Sequence, residues 1–180
     1  MTEKIHVPVL RLCSVLCSSE ELLEELLEEL RLRYGPLEER SQPFPFDASD
    51  YYAKEMGDSL SRYWICFERL CDASELAGFR GETGELEKSF SAQGKRRLNI
   101  DPGYLDFGKL VLASMKEAPD KIYLKKGVWA HTCLRYRFGH WEAPDHSFPD
   151  FADGRFNAFF LKARELYRIR RRALLKNPKA

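Results

Sequence analysis

The amino-acid sequence predicts one α+β domain, residues 1–180, built on a mainly antiparallel sheet. Three observations lead to this fold class. The first hundred residues follow the order strand, helix, strand, strand, helix, strand, which is the βαββαβ order of a ferredoxin-like unit. Further strand patterns and a C-terminal helix come after it. No repeat or low-complexity linker divides the 180 residues, a length that can bury one core.

The first strand and the first helix are marked by their apolar spacing. Residues 9–17 form an apolar run of strand length, and Ser18 followed by Glu21 fits a capping box. Leucines then recur at helical spacing, with glutamates largely on the other side of the helix. Gly35-Pro36 predicts the end of this helix, because glycine caps helices and proline cannot continue them.

Two strands and a second helix follow. Residues 37–42 predict a short strand, and residues 62–70 are dense in aromatic and β-branched side chains, which favour a strand. A helical pattern covers residues 74–93. Three glycines interrupt its first half, which we therefore expect to be bent or broken: Gly78, Gly81 and Gly84.

The remaining elements are strands and one helix. Strand patterns cover residues 95–100, 109–114, 121–124 and 128–137. The first of these runs into a predicted turn at Asp101-Pro102-Gly103, and Phe138-Gly139-His140 predicts a tight hairpin. An apolar stripe over residues 155–175 predicts the C-terminal helix.

Charge and composition limit the functional classes. Lys plus Arg (29) nearly balance Asp plus Glu (28), so a net charge of +1 gives little long-range attraction to nucleic acid or membrane. No segment reaches the ~20 apolar residues that span a bilayer, and no signal peptide is recognisable. The five cysteines are an odd number and contain no Cys-x-x-Cys pair. We expect a cytoplasmic protein with reduced, buried cysteines and no Cys/His metal site; the oligomeric state is left open.

Two strands place basic residues at alternating positions. Strand alternation puts Lys95, Arg97, Asn99 and Asp101 on one face of their strand. Arg135 and Arg137 share a face with Cys133 on another strand. If the two strands are close, the bases form a cluster that could hold an anion, since guanidinium groups bind phosphate or carboxylate bidentately. The alternative is a ladder of cross-strand ion pairs on a solvated face.

Residues 46–57 concentrate carboxylates and tyrosines. Asp47 and Asp50 are close enough to act as an acid/base pair or to converge on a divalent ion such as Mg²⁺, with Tyr52 beside them as a ligand-binding residue. The alternative is that Asp47 or Ser49 caps a helical turn and the other side chains are surface residues. With Asp101, these two aspartates are the candidate catalytic residues.

One near-match to a phosphate-binding loop is rejected. Gly103 to Lys109 fits the Gly-x-x-x-x-Gly-Lys pattern, but Leu110 occupies the position that needs a magnesium-binding hydroxyl. The residues after it favour a strand rather than the required helix. Histidines can act as acid/base groups at neutral pH, and His131 and His140 are candidates, yet no serine or cysteine nucleophile motif accompanies them.

Ten short segments, spread over nearly the whole chain, form a specific set. They are Pro45-Phe46-Asp47, Asp50-Tyr51-Tyr52, Glu55-Met56-Gly57, Phe67-Glu68-Arg69-Leu70, Lys95-Arg96-Arg97, Asn99-Ile100-Asp101-Pro102-Gly103-Tyr104, Lys109-Leu110-Val111-Leu112-Ala113, Ile122-Tyr123-Leu124, Leu134-Arg135-Tyr136-Arg137 and Phe148-Pro149-Asp150. In these segments the chain resembles an uncharacterised prokaryotic family, domain-of-unknown-function family 4416. Some members carry a GTP-binding label, against which Leu110 argues, and the family pattern requires neither Gly108 nor His131. The resemblance agrees with the candidate site residues chosen above.

Two functions follow as hypotheses. The first is a small enzyme or binding protein for a phosphorylated or otherwise anionic metabolite or a nucleotide. The second is a non-enzymatic module that binds a protein or RNA through residues 44–52, Trp129 and Trp141, although the short motifs of RNA-binding ferredoxin-like sheets are missing. The first hypothesis predicts one concave pocket for the candidate residues. It also predicts that Arg97→Ala and Arg135→Ala each weaken ligand binding by roughly 1.5–3 kcal/mol.

Overall fold

The computed structural model describes residues 6–47, 52–57 and 59–176. The elements of the first half are β1 (Pro8–Cys17), α1 (Glu20–Tyr34), β2 (Leu37–Arg40), β3 (Phe44–Pro45), α2 (Ala53–Met56), β4 (Ser61–Asp72), α3 (Leu76–Ser89) and β5 (Leu98–Leu105). The second half consists of β6 (Lys109–Ser114), β7 (Ile122–Lys125), β8 (Val128–Arg137), β9 (His140–Glu142), α4 (Pro149–Ala152) and α5 (Asn157–Lys176).

The strands form one sheet in the order β2-β4-β1-β5-β6-β8-β7, with β3 beside β4 and β9 beside β8. Every strand pair described is antiparallel. The predicted α+β class with an antiparallel sheet is therefore confirmed. The order β2-β4-β1-β5 within it is compatible with the predicted ferredoxin-like start.

Helices pack on both faces of the sheet, so the central strands are buried on both sides. On the α1 face, alternate residues of the central strands, such as Val15 and Phe67, pack against the leucines of α1 and against α3. On the opposite face, called here the α5 face, Trp64 packs edge-on against Phe156 and Phe160 near the start of α5. The five cysteines are buried and unpaired, as predicted. No helix within the described ranges is long and apolar enough to cross a membrane.

Two local predictions about the helices are wrong in detail. The cap of α1 is Ser19 rather than Ser18, since Ser19 Oγ accepts a hydrogen bond from the amide of Leu22. α3 is continuous through its glycines and is not broken. Its buried residues, including Leu76 and Phe79, hold it against the sheet, so packing outweighs the weak helix propensity of glycine.

The predicted turn at Asp101-Pro102-Gly103 is also wrong, because β5 continues through these residues to Leu105. Proline and glycine are tolerated here for different reasons. The ring of a proline fixes φ at a value that an extended strand accepts, and Gly103 lies where a neighbouring strand approaches closely. A Cβ atom at Gly103 would lie against the carbonyl oxygen of Val111 and 2.5 Å from Leu112 Cδ2. Asp101 therefore projects from a rigid strand rather than from a flexible turn.

Candidate functional site

One end of the α5 face is polar, in contrast to the apolar remainder of that face. Ser14 on β1 lies between Trp64 of β4 and Asp101 of β5. Two residues further along β1, Leu16 lies between Arg62 of β4 and Asn99 of β5. Because alternate strand residues share a face, Arg62, Ser14, Asn99 and Asp101 all project to the same side of the sheet. We call this group, with Asp150 above it, the Arg62 cluster.

The centre of the cluster is the guanidinium of Arg62, which is buried. Its Nη1 donates to Ser14 Oγ at 2.7 Å, and lies 3.5 Å from Asp101 Oδ2. Its Nε lies 3.1 Å from Asp150 Oδ2. The ring of Phe46 covers the guanidinium at 5.1 Å, which adds a cation–π contact in a site shielded from water. Arg62 thus joins two carboxylates from different parts of the chain.

Asp150 is the most deeply buried carboxylate of the cluster, with 2% of the residue exposed. It lies in α4, after Pro149 at the first helical position. Its two oxygens are buried and accept no hydrogen bond with good geometry from the described residues, so the contact with Arg62 Nε is mainly electrostatic. Burial raises the pKa of Asp150, while Arg62 and then Arg155 oppose that shift. Asp150 therefore holds a proton more readily than an ordinary aspartate does.

Asp101 is oriented by a second set of polar contacts. Asn99 Nδ2 donates to Asp101 Oδ1 at 3.1 Å, and Arg96 Nη1 donates to Asn99 Oδ1 at 2.8 Å. Arg96 in turn lies 3.6 Å from Glu55 and 5.9 Å above the ring of Tyr52. Asn99 is buried, but the side chain of Asp101 is 34% exposed. Asp101 is thus the member of the cluster that solvent or a ligand can reach.

Lys121 and His131 lie within electrostatic range of Asp101 on the β8 side. Burial lowers the pKa of His131 to about 4, and the nearby charge of Lys121 acts in the same direction. His131 is therefore neutral at pH 7. Burial also lowers the pKa of Lys121, whose Nζ donates to Ser114 Oγ at 2.9 Å. Asp101 thus lies between a buried arginine and a partly buried lysine.

Comparison with known proteins gives one match. A family model for a domain of unknown function, DUF4416, matches residues 7–167. The chain belongs to the DUF4416 family. No curated protein and no solved structure matches it. Several segments on which the family resemblance rests meet at the Arg62 cluster: Phe46, Tyr52, Glu55, Arg96, Asn99, Asp101 and Asp150.

The DUF4416 fold brings only some of the predicted site residues together. Asn99 and Asp101 belong to the cluster, and Tyr52 lies beside it. Lys95 and Arg97 are exposed and precede β5, which begins at Leu98, so the predicted strand alternation does not apply to them. Lys95 lies in a turn closed by backbone hydrogen bonds with Ala92. Arg96, which was expected on the opposite face, makes the contact with Asn99 instead.

Arg135 and Arg137 lie on the opposite face of the sheet from Asp101. Leu110 of β6 pairs with Leu134, but the next residue, Val111, pairs with Thr132, so β8 carries one extra residue at Cys133. This β-bulge reverses the alternation. Cys133 and Leu134 both face the α5 core, and the two arginines face away. They line a separate groove of about 670 Å³ with Glu142. The prediction of a single pocket is therefore wrong, and the ligand-binding roles of these arginines remain predictions.

Asp47 lies at the edge of the cluster and is exposed. Arg155 Nη1 donates to Asp47 Oδ1 at 2.8 Å, and this bond lowers the pKa of Asp47. Asp47 therefore remains ionised at neutral pH, which suits an ion pair better than a proton donor. Asp50 lies outside the described residues, so its predicted role is neither supported nor opposed. Among the described side chains, no three His, Cys, Asp or Glu residues gather in a way that could hold a metal ion.

Sequence reasoning missed the two central residues, Arg62 and Asp150. A signal for Arg62 was present, since it is the only charged residue among the strongly apolar positions at the start of its strand pattern. Asp150 was noticed only as part of the family resemblance. Its burial could not be read from a loop sequence rich in proline and aspartate. Arg62 and Asp150 are about ninety residues apart in the chain, and only the tertiary fold brings them together.

Proposed function

We propose that this protein is a small enzyme or binding protein for an anionic metabolite, such as a phosphorylated compound or a nucleotide, and that the ligand docks beside Asp101. One observation carries the proposal. Asp101, with a side chain 34% exposed, is the accessible end of a buried polar chain that runs through Arg62 to Asp150. A buried ion-pair network adds little net stability to a protein. Its presence next to an accessible carboxylate therefore favours a functional role for the network over a purely structural one.

The electrostatics of the neighbourhood support the same conclusion. Several described groups around Asp101 have displaced pKa values. That of Asp150 is raised, those of His131 and Lys121 are lowered, and burial raises that of Tyr52 to about 12. Perturbed titratable groups concentrate at functional sites, although structural ion pairs produce similar shifts. The exposure of Asp101 is what favours a site over a purely structural network.

Each accessible group has a chemical role in this proposal. Arg96, whose side chain is 34% exposed, and Lys121 supply positive charge to an anionic group of the ligand. Asp101 acts as the acid or base, or accepts a hydrogen bond from a ligand hydroxyl. Asn99 holds the Asp101 carboxylate in place, and the Arg62 guanidinium lies 3.5 Å from it on the buried side. The neutral imidazole of His131 offers a further hydrogen-bond partner.

The interaction-module hypothesis has less support. Its aromatic surface would need Trp141, Trp129 and residues 44–52 on one exposed patch. Trp141 is buried in the α5 core, and Phe44 packs against that core. Trp129 packs edge-on against Tyr123 of β7, at the other end of the sheet. These aromatic residues therefore do not offer one continuous face to a partner.

A ligand panel tests the proposal. Thermal unfolding is measured with nucleotides and sugar phosphates, with and without magnesium, for the wild type, Asp101→Asn and Asp145→Asn. We expect at least one compound to raise the melting temperature of the wild type and of Asp145→Asn. Asp101→Asn should bind that compound at least ~10-fold more weakly, equal to about 1.4 kcal/mol. Asp145 is a suitable control because it is exposed in the separate groove with Arg135.

Two results would contradict the proposal. If no anionic compound stabilises the wild type, the protein does not bind this ligand class, and a partner found by co-purification would favour the interaction module. If a compound binds but Asp145→Asn changes its affinity more than Asp101→Asn does, in either direction, the ligand occupies the other groove. The two variants therefore separate a wrong ligand class from a wrong site.

A further inference from the structure

A second cavity, of about 410 Å³, lies at the other end of the α5 face. It is bounded by the residues that lead into β1, by the β5–β6 hairpin and by α5. Pro8 in its lining is six residues from Ser14 along β1, a distance of roughly 20 Å in an extended strand. The cavity is therefore separate from the Arg62 cluster, and what it binds does not depend on the function proposed above.

The hairpin part of the cavity contains a carboxylate that is already neutralised. Asp106 Oδ1 accepts hydrogen bonds from the amides of Gly108 (2.8 Å) and Lys109 (2.9 Å), and Asp106 Oδ2 pairs with Lys109 Nζ. These are the glycine and lysine of the rejected phosphate-loop pattern. Their amides point at a side chain of the protein, so the hairpin cannot cradle a phosphate with its backbone. Any anion here must be bound by side chains.

Arg171 is the cation in the cavity that lacks a counter-charge. Two other arginines of α5 are paired: Arg168 with Glu165, and Arg170 with Glu38 and Glu68. No such pair with a described carboxylate holds Arg171, and its Nε is buried without a hydrogen-bond partner among the described residues. A buried donor without a partner costs free energy, so a ligand that accepts a hydrogen bond there is favoured.

The position of Arg171 is fixed by an aromatic contact. Its guanidinium lies 5.1 Å from the ring of Phe107, and Arg164 approaches the same ring at 5.7 Å while donating from Nε to the Phe107 carbonyl oxygen. Stacking of this kind orients a guanidinium without using its outer donors. With Lys109, Arg171 and Asp106 in the lining, the cavity has one more positive than negative charge.

We propose that this cavity binds a phosphate group between Arg171 and Lys109. A phosphate offers several acceptor oxygens, which suit the fork of a guanidinium together with the point charge of an ammonium. A volume of about 410 Å³ is far larger than a phosphate alone and lies in the usual range of small-molecule sites. The proposed ligand is therefore a small phosphate monoester, and its organic part occupies the remaining space of the cavity beside Tyr167.

Nitrogen-15 NMR titrations test this inference with inorganic phosphate, glycerol 3-phosphate and glycerol as probes. Arg171→Gln removes the charge, and Arg172→Gln makes the same change at the next residue, which is exposed and not part of the lining. We expect saturable shifts of the Gly108 and Lys109 amides with both phosphates and none with glycerol. Arg171→Gln should weaken binding at least ~10-fold and Arg172→Gln less than ~2-fold.

The outcomes are distinguishable from one another. Tighter binding of glycerol 3-phosphate than of inorganic phosphate supports a monoester, and equal binding would contradict the role of the organic part in the cavity. The absence of saturable shifts would overturn the inference. Equal weakening by both variants would also overturn it, because it would indicate only general attraction of phosphate to the basic helix. If Arg171→Gln does not fold, Lys109→Gln provides the same test. Asp101→Asn should leave phosphate binding here unchanged, whatever its effect on the Arg62 cluster.

Discussion

Replacement of Arg62 by methionine should destabilise the protein strongly at neutral pH. Methionine keeps most of the length of the side chain but removes the charge that accompanies Asp150. The Arg62 Nε to Asp150 Oδ2 distance of 3.1 Å corresponds to a Coulomb attraction of about 5 kcal/mol at an effective dielectric constant of about 20. Breaking a buried pair by removing one partner costs about 3–5 kcal/mol, and we expect a value in this range at pH 8.

The loss of unfolding free energy in Arg62→Met should depend on pH, and the protonation of Asp150 determines whether it grows or shrinks as the pH rises. Burial raises its pKa above the ordinary value of 3.8, so its contribution to stability is fully present below pH 3.8 and is lost as the pH rises through the folded-state pKa. Removal of Arg62 takes away the largest influence that lowers this pKa. The pKa then rises further, and Asp150 stays protonated to higher pH. The loss should therefore be smaller at pH 5 than at pH 8, by up to about 1.4 kcal/mol for each pKa unit of further rise.

Urea unfolding at pH 5 and pH 8 measures both effects. In the Arg62→Met background, Asp150→Asn should recover about 2 kcal/mol or more at pH 8, because it removes the unpaired charge. Arg40→Met is a matched control: Arg40 pairs with Glu20 and Glu24 on the surface, so its loss should cost less than about 1 kcal/mol. Equal losses for Arg62→Met at the two pH values, or further destabilisation by Asp150→Asn, would refute the reasoning.

Three further outcomes are expected. Gly103→Ala should destabilise the protein by about 1–3 kcal/mol in urea unfolding, since its Cβ would overlap the neighbouring strand, whereas Gly78→Ala, in open space on α3, should stabilise it by up to about 1 kcal/mol. Ser19→Ala should cost about 1 kcal/mol and Ser18→Ala less than about 0.5 kcal/mol; the reverse order would mean that the cap is misassigned. The His131 ring should titrate near pH 4 by NMR, and His131→Asn should reduce the loss of stability as the pH falls from 6.5; a ring pKa near 6.5 would contradict its burial.

The elements of the fold could largely be predicted from the sequence, because their local patterns agree with their tertiary roles. β6 and β8 have the predicted bounds, and the hairpin after β8 was anticipated from Phe138-Gly139, where both residues adopt positive φ angles. The helix α3 departed from its prediction because glycine propensity is a weak local preference that packing overrides. β5 departed because a proline and a glycine inside a strand look locally like a turn.

The candidate site could be predicted only in part, for reasons that lie in the tertiary structure. Asn99 and Asp101 were found because regular alternation holds within β5. Arg135 and Arg137 were placed on the wrong face because one extra residue, Cys133, reverses the alternation of β8, and a bulge leaves no clear trace in a single sequence. The Arg62–Asp150 pair depends on how α4 docks on the sheet, which no local pattern specifies.

The central claim is that the ligand site of this protein is the accessible side of the Arg62 cluster. The side-chain amide of Asn99 reports on it directly, since Asn99 Nδ2 donates to Asp101 Oδ1 at 3.1 Å. The decisive measurement is a nitrogen-15 NMR titration of Arg171→Gln, in which the second cavity is impaired, with the compound of the ligand panel that stabilises this variant most. We predict a saturable shift of the Asn99 side-chain amide whose dissociation constant matches that of the thermal stabilisation. A compound that saturates the protein while this amide stays unmoved would contradict the claim.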